Sequence, residues 1–491
     1  MSDGGKNIVM FPMMAQGHII PFIALAHRIQ QISDSYVITF VTTPLNVNKI
    51  KSYLPPNSSN IRVAKIPFSG PDYGLPPHIE NTDGLPHYLI PNFLNALLSL
   101  KPSFRQFISD LISEQNGHPP LCIIADNFLA WCADIAYNYG VFCALFCGGG
   151  GFGFACFYSL WINLPHRLRN TAESDEIMFP DFPEVSSIHV TQISEGMRVA
   201  DGNDLVSKFH LQVLPEWSKA DGILFNTVED LDKTGLTYFR RKTGRSVWAV
   251  GPVILSNDNP AHARKEAGIT SDICIKWLNA KPTKSVLYVS FGSQNTISTS
   301  QMTELALALE TSCKNFIWVV RPPLGFDINS EFRANEWLPD GFEERIKESK
   351  RGLVVRKWAP QVDILSHEAV CAFLSHCGWN SVMEALGQGV PILGWPVAAE
   401  QFYNAKLLEE EVGVCVEVAR GRSVVVGHGD LAAKIELVMN GTDKGIEMAR
   451  KACQVKEMIK NATKDEDGFK GSSVKAMDEF LNAANLQRMQ K

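Results

Sequence analysis

The chain has 491 residues, of which 45% are hydrophobic and 20% are charged, and its formal net charge at pH 7 is −6. This length and composition exclude a disordered or repetitive chain and predict a soluble globular protein with two large domains or three ordinary ones. Lysine and arginine do not cluster in any block, which excludes the charge pattern of a nucleic-acid-binding protein and favours a small-molecule ligand.

The first half of the chain alternates short β-rich runs with longer helical ones. Helices are expected at Ile19–Gln30, Leu94–Ile112 and Trp131–Tyr139. The strand candidates of this half, in chain order, are IVMFPM, VITFVTT, IRVAKIPF, LCIIA, VFCALF, GILFN and VWAVGP. Alternation of this kind predicts a parallel sheet with crossover helices.

A polar stretch at Ser256–Gly268 has no apolar period and is predicted to be a linker. After it the alternation begins again with the strand candidates SVLYVSFGS, FIWVVRP, LVVRKWAP, AVCAFLSHCG, VPILGWP and GVCVEV. We therefore predict a first domain at 1–250, a linker at 251–270, a second domain at 271–470 and a last helix at 471–491 that could return to the first domain. Ligands of such sheets bind at the carboxyl ends of the strands.

The cysteines and the N-terminus bear on the compartment. Eleven cysteines are scattered without C-x-x-C pairs, which predicts reduced thiols and a cytoplasmic protein. Pro12 and His18 interrupt the first apolar segment, so we expect no secretory signal. The uncharged stretch Ile135–His166 has four consecutive glycines at its centre, which favours a strand, a loop and a buried helix over a membrane span.

The stretch CGGGGFG at Cys147–Gly153 has the G-x-G-x-x-G spacing of a dinucleotide site, between an apolar run and a helix-like segment. It follows about the fifth strand instead of the first, and the only acidic residue near the expected offset is Glu173, beyond the helix. We therefore reject a dinucleotide site here and expect a close backbone approach.

The segment AFLSHCGWNSVMEALGQGVP, Ala372–Pro391, places a helix N-terminus directly after a buried strand. Its amides and positive dipole end favour an anion, and Asn380 and Ser381 add side-chain donors. Glu384, one turn further, could accept from ribose hydroxyls. The combination predicts a nucleoside diphosphate, although Asn380 and Ser381 taken singly could simply cap the helix.

The longer segment Trp358–Gln401 resembles the plant secondary-product glycosyltransferase box of the UDP-dependent family 1 glycosyltransferases. The resemblance extends more loosely from MFPMMAQGHIIP near the N-terminus to GSSVKAMDEFL near the C-terminus. It implies an α/β protein of the GT-B fold, with two Rossmann-like domains facing across a cleft.

The resemblance also implies residue roles in binding a UDP-sugar. The uracil and ribose contacts would come from Trp358, Ala359, Gln361 and Glu384, the diphosphate contacts from Ser293, His376, Gly378, Asn380 and Ser381, and the sugar contacts from Trp379, Glu400 and Gln401. Members whose box ends in Gln mostly use UDP-glucose, so glucose is the expected sugar. The residue before that Gln is more often Asp than the Glu400 found here.

Sugar transfer to an alcohol needs a base for the acceptor proton. His18 follows the first strand, Asp126 follows the strand LCIIA, and the resemblance implies that they are the catalytic base and the carboxylate that orients it. The sugar would be transferred in one inverting step without a cofactor. We expect no metal, because neither turn carries an Asp-x-Asp pair or a His/Cys cluster.

The acceptor side is the less specified half of the site. We expect the glycine run to lie beside the sugar and the acceptor, with Phe152 and Phe154 shaping an apolar pocket and Gly17 near the acceptor. Relatives often have Ser or Thr where this chain has Gly17 and Cys147. Loops such as Pro67–Gly84 are expected to shape the rest of the acceptor site.

The sequence thus predicts a monomeric, inverting UDP-glucose-dependent glycosyltransferase that acts on a small hydrophobic plant metabolite, such as a phenolic or a terpenoid. A carboxyl acceptor would give a glucose ester. The alternatives are a nicotinamide-dependent oxidoreductase, which rests on the glycine run alone, and a UDP-sugar-binding protein without turnover. We expect neither nucleic acid nor stable membrane insertion among its interactions.

Overall fold

The computed structural model of the chain describes residues 6–54, 59–168, 175–254, 268–422 and 424–489. Its contacts divide the chain into two compact units. The first consists of Met1–Ser187, Gly196–Ala261 and Asn461–Lys491, and the second of Ile188–Glu195 and His262–Lys460. The units differ from the predicted domains at 188–195, which belongs to the second unit, and at 461–470, which belongs to the first. Of the predicted linker 251–270, residues 255–267 lie outside the described residues.

In the first unit, the described residues form a seven-stranded parallel sheet in the order β3-β2-β1-β4-β5-β6-β7. Its strands are β1 (Lys6–Phe11), β2 (Tyr36–Thr42), β3 (Ile61–Lys65), β4 (Cys122–Asp126), β5 (Phe142–Cys147), β6 (Gly222–Phe225) and β7 (Ser246–Ala249). The main helices that precede the second unit are α1 (Gln16–Ile32), α2 (Val47–Tyr53), α3 (Ile90–Ala96), α4 (Leu100–Glu114), α5 (Cys132–Tyr139), α6 (Gly151–Asn163), α7 (Leu205–Val213) and α8 (Lys233–Thr243).

The second unit repeats the architecture, with a parallel sheet that has six strands among the described residues, in the order β10-β9-β8-β11-β12-β13. They are β8 (Val286–Ser290), β9 (Asn315–Val320), β10 (Gly352–Arg356), β11 (Val370–Ser375), β12 (Ile392–Gly394) and β13 (Cys415–Glu417). The main helices are α9 (Ser271–Asn279), α10 (Thr299–Thr311), α11 (Phe342–Ser349), α12 (Gln361–Ser366), α13 (Trp379–Gly387), α14 (Gln401–Lys406), α15 (His428–Met439) and α16 (Asp443–Thr463), within which the division between the units falls.

The predicted helix Leu94–Ile112 is two helices, α3 and α4, joined by a tight 3-10 turn at Leu97–Ser99. Pro102 explains the break, since it has no N–H to donate to the carbonyl of Leu98 and its ring would clash there. The predicted helix Ile19–Gln30 begins earlier, at Gln16, which places His18 in its first turn.

The last helix, α17 (Ser472–Met489), belongs to the first unit. Its buried residues Met477, Phe480 and Leu481 join the hydrophobic core formed by the sheet and α1. The Phe480 ring lies 5.7 Å from Trp248 of β7 and 6.2 Å from Phe142 of β5, measured between ring centroids. The C-terminal helix thus packs into the same hydrophobic core as the first strand.

Each sheet has a point at which the strand order reverses. In the first unit the chain runs from β1 outward to β3 and then returns to the other side of β1 with β4. In the second unit the same reversal lies between β8 and β11. Loops that follow these strands diverge and leave a crevice, which is where ligands of such sheets bind. In the described parts of the chain, no helix combines the length and apolar character needed to cross a membrane.

Candidate active site

At the reversal point of the first unit, the structure brings His18 and Asp126 together. His18 lies in the first turn of α1 and Asp126 ends β4, and 2.8 Å separates His18 Nδ1 from Asp126 Oδ2. The Asp126 side chain is 1% exposed and the His18 side chain 21%. A carboxylate accepts hydrogen bonds, so Nδ1 carries the proton of this contact and Nε2 is the ring nitrogen that can take another. This arrangement can take a proton from a hydroxyl.

Neighbouring groups hold this pair in place. Asp126 Oδ1 accepts a hydrogen bond from the Phe128 N–H at 3.0 Å, which fixes the carboxylate. The Phe128 ring lies 5.6 Å from the imidazole of His18. Two residues before His18, the Gln16 side-chain amide donates to the Tyr53 hydroxyl at 3.3 Å. Burial, with a smaller contribution from Asp83, raises the pKa of Tyr53 to about 12, so this partner stays protonated at neutral pH.

The glycine run packs beside the turn that carries His18, and the helix start that follows the run cannot bind a dinucleotide. A Cβ on Gly148 would lie 3.6 Å from the carbonyl oxygen of Gly17. The N-terminal amides of α6, from Gly151 and Phe152, donate to the buried Asp232 carboxylate at 2.5 and 2.8 Å. A helix N-terminus that already binds an internal anion has no place for a diphosphate, in agreement with the rejection of a dinucleotide site.

The close approach of the glycine run is to another helix. A Cβ on Gly235 of α8 would lie 1.9 Å from the Phe152 nitrogen, so α6 and α8 touch backbone to backbone. Phe152 is 1% exposed and packs near Phe182, and Phe154 is 6% exposed and packs near Trp217. Both rings are therefore buried among aromatic side chains of the first unit, and their predicted part in shaping an apolar acceptor pocket stays a prediction. Gly17 is exposed, with no atom within 4 Å of the position of a Cβ.

At the reversal point of the second unit, a sharp turn leads from β11 into α13. Cys377 has a φ of 61°, and its N–H donates to Ser375 Oγ at 3.1 Å. Gly378 caps the helix and supplies no side-chain oxygen, and α13 begins at Trp379. The turn carbonyl of Cys377 accepts from the fully buried Asn404 side chain at 3.0 Å, a support that no local pattern in the sequence indicates. The helix start thus presents backbone amides and a positive dipole end.

His376 is tightly enclosed beside this helix start. It is 7% exposed, and a Cβ on Gly292 or on Gly378 would come within 2.8 or 2.4 Å of its ring. The absence of a side chain at Gly378 makes room for the imidazole, and the predicted contact of Gly378 with the diphosphate stays a prediction. Burial lowers the pKa of His376 to about 4, so the ring is neutral at pH 7. Its Nδ1 atom is buried without a hydrogen-bond partner among the described residues, and such a group calls for a ligand or a water.

Gln361, Ser381 and Glu384 form one hydrogen-bonded cluster. The Gln361 amide nitrogen donates to Ser381 Oγ at 3.0 Å and to Glu384 Oε2 at 2.7 Å. The Tyr288 hydroxyl of β8, buried and not identified from the sequence, donates to the Gln361 amide oxygen at 3.2 Å. Burial raises the pKa of Tyr288 well above its ordinary value, so it remains a donor. Gln361 therefore orients the Glu384 carboxylate and the Ser381 hydroxyl from inside the protein.

The remaining predicted donor residues lie on the same edge of the second sheet. Gln401 is 6% exposed, and its side-chain oxygen accepts from the amides of Val397 and Ala398 at 3.1 and 3.0 Å. These hydrogen bonds hold the loop that precedes α14. The carbonyl of Trp358 accepts from the Gly268 amide at 3.0 Å. The buried members of this set are Ala359 and Trp379, and the partly exposed ones are Ser293, Trp358, Asn380 and Glu400. Within the described ranges, no three His, Cys, Asp or Glu side chains are grouped so as to hold a metal ion.

Comparison with known proteins identifies close relatives of this chain. Residues 252–448 match the family described as UDP-glucoronosyl and UDP-glucosyl transferase. The chain is 48% identical over 489 residues to UDP-glycosyltransferase 92A1 of Arabidopsis thaliana, covering 99% of this chain and 98% of the relative. It is 41% identical over 413 residues to crocetin glucosyltransferase 3 of Crocus sativus, covering 83% and 85% of the two chains.

A solved structure supports the fold. The crystal structure of Glycyrrhiza uralensis UGT73P12, complexed with glycyrrhetinic acid 3-O-monoglucuronide, superposes with a TM-score of 0.80. The alignment covers 99% of this chain and 96% of that one, at 28% sequence identity.

Proposed function

Because the chain belongs to the plant UDP-glycosyltransferase family, we propose that it transfers glucose from UDP-glucose to a hydroxyl group of a small hydrophobic plant metabolite, with inversion at the sugar. The enzyme class and the GT-B fold are established by its relatives. We propose, in addition, the roles of individual residues, the acceptor class and the inversion at the anomeric carbon.

The observation that carries the proposal is the 2.8 Å contact between His18 and Asp126 at the reversal point of the first sheet. His18 Nε2 takes the proton of the acceptor hydroxyl while its oxygen attacks the anomeric carbon from the face opposite UDP. The C–O bond to glucose forms as the bond to the UDP oxygen breaks. Asp126, buried and hydrogen-bonded to the Phe128 amide, stabilises the resulting imidazolium and keeps the ring in the reactive tautomer.

The second unit supplies the groups that would hold UDP-glucose. The start of α13, with its positive dipole end, suits the diphosphate, whose negative charge increases as the bond to glucose breaks. Glu384, held by Gln361, suits the ribose hydroxyls. We propose that this dipole and the backbone amides at the helix start stabilise the leaving UDP without a metal or a cofactor.

The names of the relatives and the sequence support the acceptor class that we propose. The Crocus sativus relative is named for crocetin, and the solved structure contains glycyrrhetinic acid 3-O-monoglucuronide. Both names fit a small, largely apolar acceptor. We propose the same class here and assign the donor as UDP-glucose because the box ends in Gln401 and because the Crocus sativus relative is a glucosyltransferase.

The test is transfer of glucose from UDP-glucose to a panel of phenolic and terpenoid acceptors, followed by mass spectrometry of the products. The variant His18→Ala should lower kcat/KM by about 10²- to 10⁴-fold, because it removes the base. UDP affinity, measured by calorimetry, should stay unchanged. The matched control His118→Ala removes an exposed imidazole of the same unit and should retain full activity.

Three outcomes would contradict the proposal. Equal loss of rate and UDP affinity in His18→Ala would make His18 a donor-binding residue. UDP binding by the wild type without transfer to any acceptor would indicate a UDP-sugar-binding protein. Thermal stabilisation by NAD in place of UDP would favour the oxidoreductase.

A further inference from the structure

The long connection between β3 and α3 contains the loop that the sequence predicts at the acceptor site, Pro67–Gly84. Its regular structure is limited to short 3-10 turns at Gly70–Tyr73 and, beyond the loop, at His87–Leu89. A connection of this length without strands or helices is uncommon in a compact domain and is usually functional. Its position therefore depends on the side chains that hold it.

Asn46, in the turn after β2, holds this loop directly. Asn46 is fully buried, and its amide nitrogen donates to the Glu80 carbonyl at 2.9 Å and to Thr43 Oγ1 at 2.8 Å. Its amide oxygen accepts from the Asn81 side chain at 2.9 Å. One buried side chain thus joins the loop to the end of the second strand.

Other contacts hold the same four residues, Glu80–Asp83. The Glu80 carboxylate accepts from the Leu45 N–H at 2.7 Å, and Asp83 forms an ion pair with Lys49 of α2. The Thr82 N–H donates to the carbonyl of Met14 at 3.1 Å. The segment is therefore fixed both to the turn after β2 and to the turn after β1.

The turn after β1 is the one that carries His18. Met14 is followed by Ala15, whose carbonyl accepts from the His18 N–H at 3.0 Å, and β1 and β2 are neighbouring strands. Fixing Thr82 to Met14 therefore fixes the segment relative to the imidazole. A reacting hydroxyl must lie within hydrogen-bond reach of the base, so a displacement of about 1 Å in a supporting wall has a large effect.

We propose that Asn46 is a positioning residue that fixes the segment Glu80–Asp83 as one wall of the acceptor site beside His18. This inference rests on the proposed function. Asn46 touches neither the substrate nor the reacting atoms in this proposal. It acts through the loop, and its loss displaces the wall and weakens acceptor binding while the donor site in the other unit is unaffected.

A merely structural role for Asn46 would lower stability without selective loss of acceptor binding. Asn7 provides the matched control, since it is buried and its side-chain oxygen accepts from Thr39 Oγ1 at 3.0 Å. Asn7 lies at the amino end of β1, away from the edge that carries His18. Asn7→Ala therefore removes a comparable buried hydrogen bond in the same sheet.

The experiment compares Asn46→Ala, Asn81→Ala and Asn7→Ala with the wild type. Loss of a buried hydrogen bond of this kind should raise KM for the acceptor about tenfold in the first two variants, with kcat within about threefold of the wild type. The dissociation constant for UDP should not change. Hydrogen exchange of residues 79–84 should increase in Asn46→Ala and Asn81→Ala and remain unchanged in Asn7→Ala.

The outcomes separate this inference from the proposed function. Unchanged acceptor KM in Asn81→Ala, or an equal rise in Asn7→Ala, would overturn the role of Asn46 while leaving the enzyme's activity established. Absence of transfer by the wild type would overturn the proposed function and this inference with it. Asn81 is only partly buried, so its variant keeps the test decisive if Asn46→Ala does not fold.

Discussion

At the scale of single residues, three histidines show how environment divides one side-chain type into different roles. His18 is partly exposed and paired with a carboxylate, which suits a base. His376 is enclosed by two glycines beside a helix start. His210 is 3% exposed and packs against Trp161, with 4.3 Å between the ring centroids. From the sequence, the family resemblance assigned roles to His18 and His376, and nothing in the local pattern distinguished His210.

The buried His210 should make the protein sensitive to acid. Burial lowers the pKa of His210 to about 3, with Asp204 opposing the shift. Between pH 6.5 and this value the unfolded chain binds a proton that the folded chain does not, so the free energy of unfolding falls by about 1.4 kcal/mol for each pH unit below 6.5. Above pH 6.5 this group has no effect.

Denaturant unfolding of the wild type and of His210→Phe at pH 7.5 and 5.5 measures this contribution. We expect the loss of stability on acidification to be smaller by about 1.4 kcal/mol in His210→Phe. His118→Gln, at an exposed position, should behave as the wild type. An identical loss in His210→Phe and the wild type would show that His210 is not the group responsible.

At the scale of elements, the close crossing of α6 and α8 explains why glycines occur in this run, whereas a bound cofactor does not. The two helices touch at Gly151 and Gly235, and Asp232, just before α8, binds the amides at the start of α6. The spacing of the glycines matches a dinucleotide motif, but the local sequence contains no sign of the helix that packs against it. This helix begins about 80 residues later in the chain.

The crossing predicts opposite effects for two glycine substitutions. Gly235→Ala would place a Cβ 1.9 Å from the Phe152 nitrogen, and forcing the helices apart should cost about 3 kcal/mol or more. Gly429→Ala, in the first turn of α15, meets no atom within 4 Å and should be neutral or stabilise the protein by up to about 1 kcal/mol. Denaturant unfolding of both variants checks this, and equal stabilities would refute the backbone contact.

At the scale of the whole molecule, the first unit is assembled from three separate parts of the chain. Its core is complete only when α17 packs on β5 and β7. The second unit likewise includes a short segment from the first half, in which Thr191 accepts a hydrogen bond from Arg420 at 3.1 Å. Neither unit is therefore a single continuous stretch of sequence.

This assembly predicts that a residue near the C-terminus controls the stability of the first unit. Phe480→Ala should cost about 3–5 kcal/mol, because it empties a fully buried position against Phe142 and Trp248. Leu486→Ala, on the same helix but 58% exposed, should change stability by less than about 0.5 kcal/mol. Thermal unfolding of both variants tests this, and equal midpoints would contradict the docking of α17.

Local patterns were enough to predict most strands and helices, because hydrophobic periodicity and turn residues act over neighbouring positions. The donor-binding candidates were also within reach, since most of them lie in one continuous segment, Trp358–Gln401. His18 and Asp126, 108 residues apart, were paired through the resemblance to a known family.

The contacts between residues that are distant in sequence could be identified only from the tertiary structure. Four such contacts have no local pattern in the sequence that would predict them. They are Tyr288 with Gln361, Gly292 with His376, Asp232 with the start of α6, and Asn46 with the loop at Glu80. Each depends on which strands become neighbours and where their carboxyl ends meet. Periodicity along the chain specifies which face of an element is buried, but only the packing of the sheets specifies which distant side chain covers it.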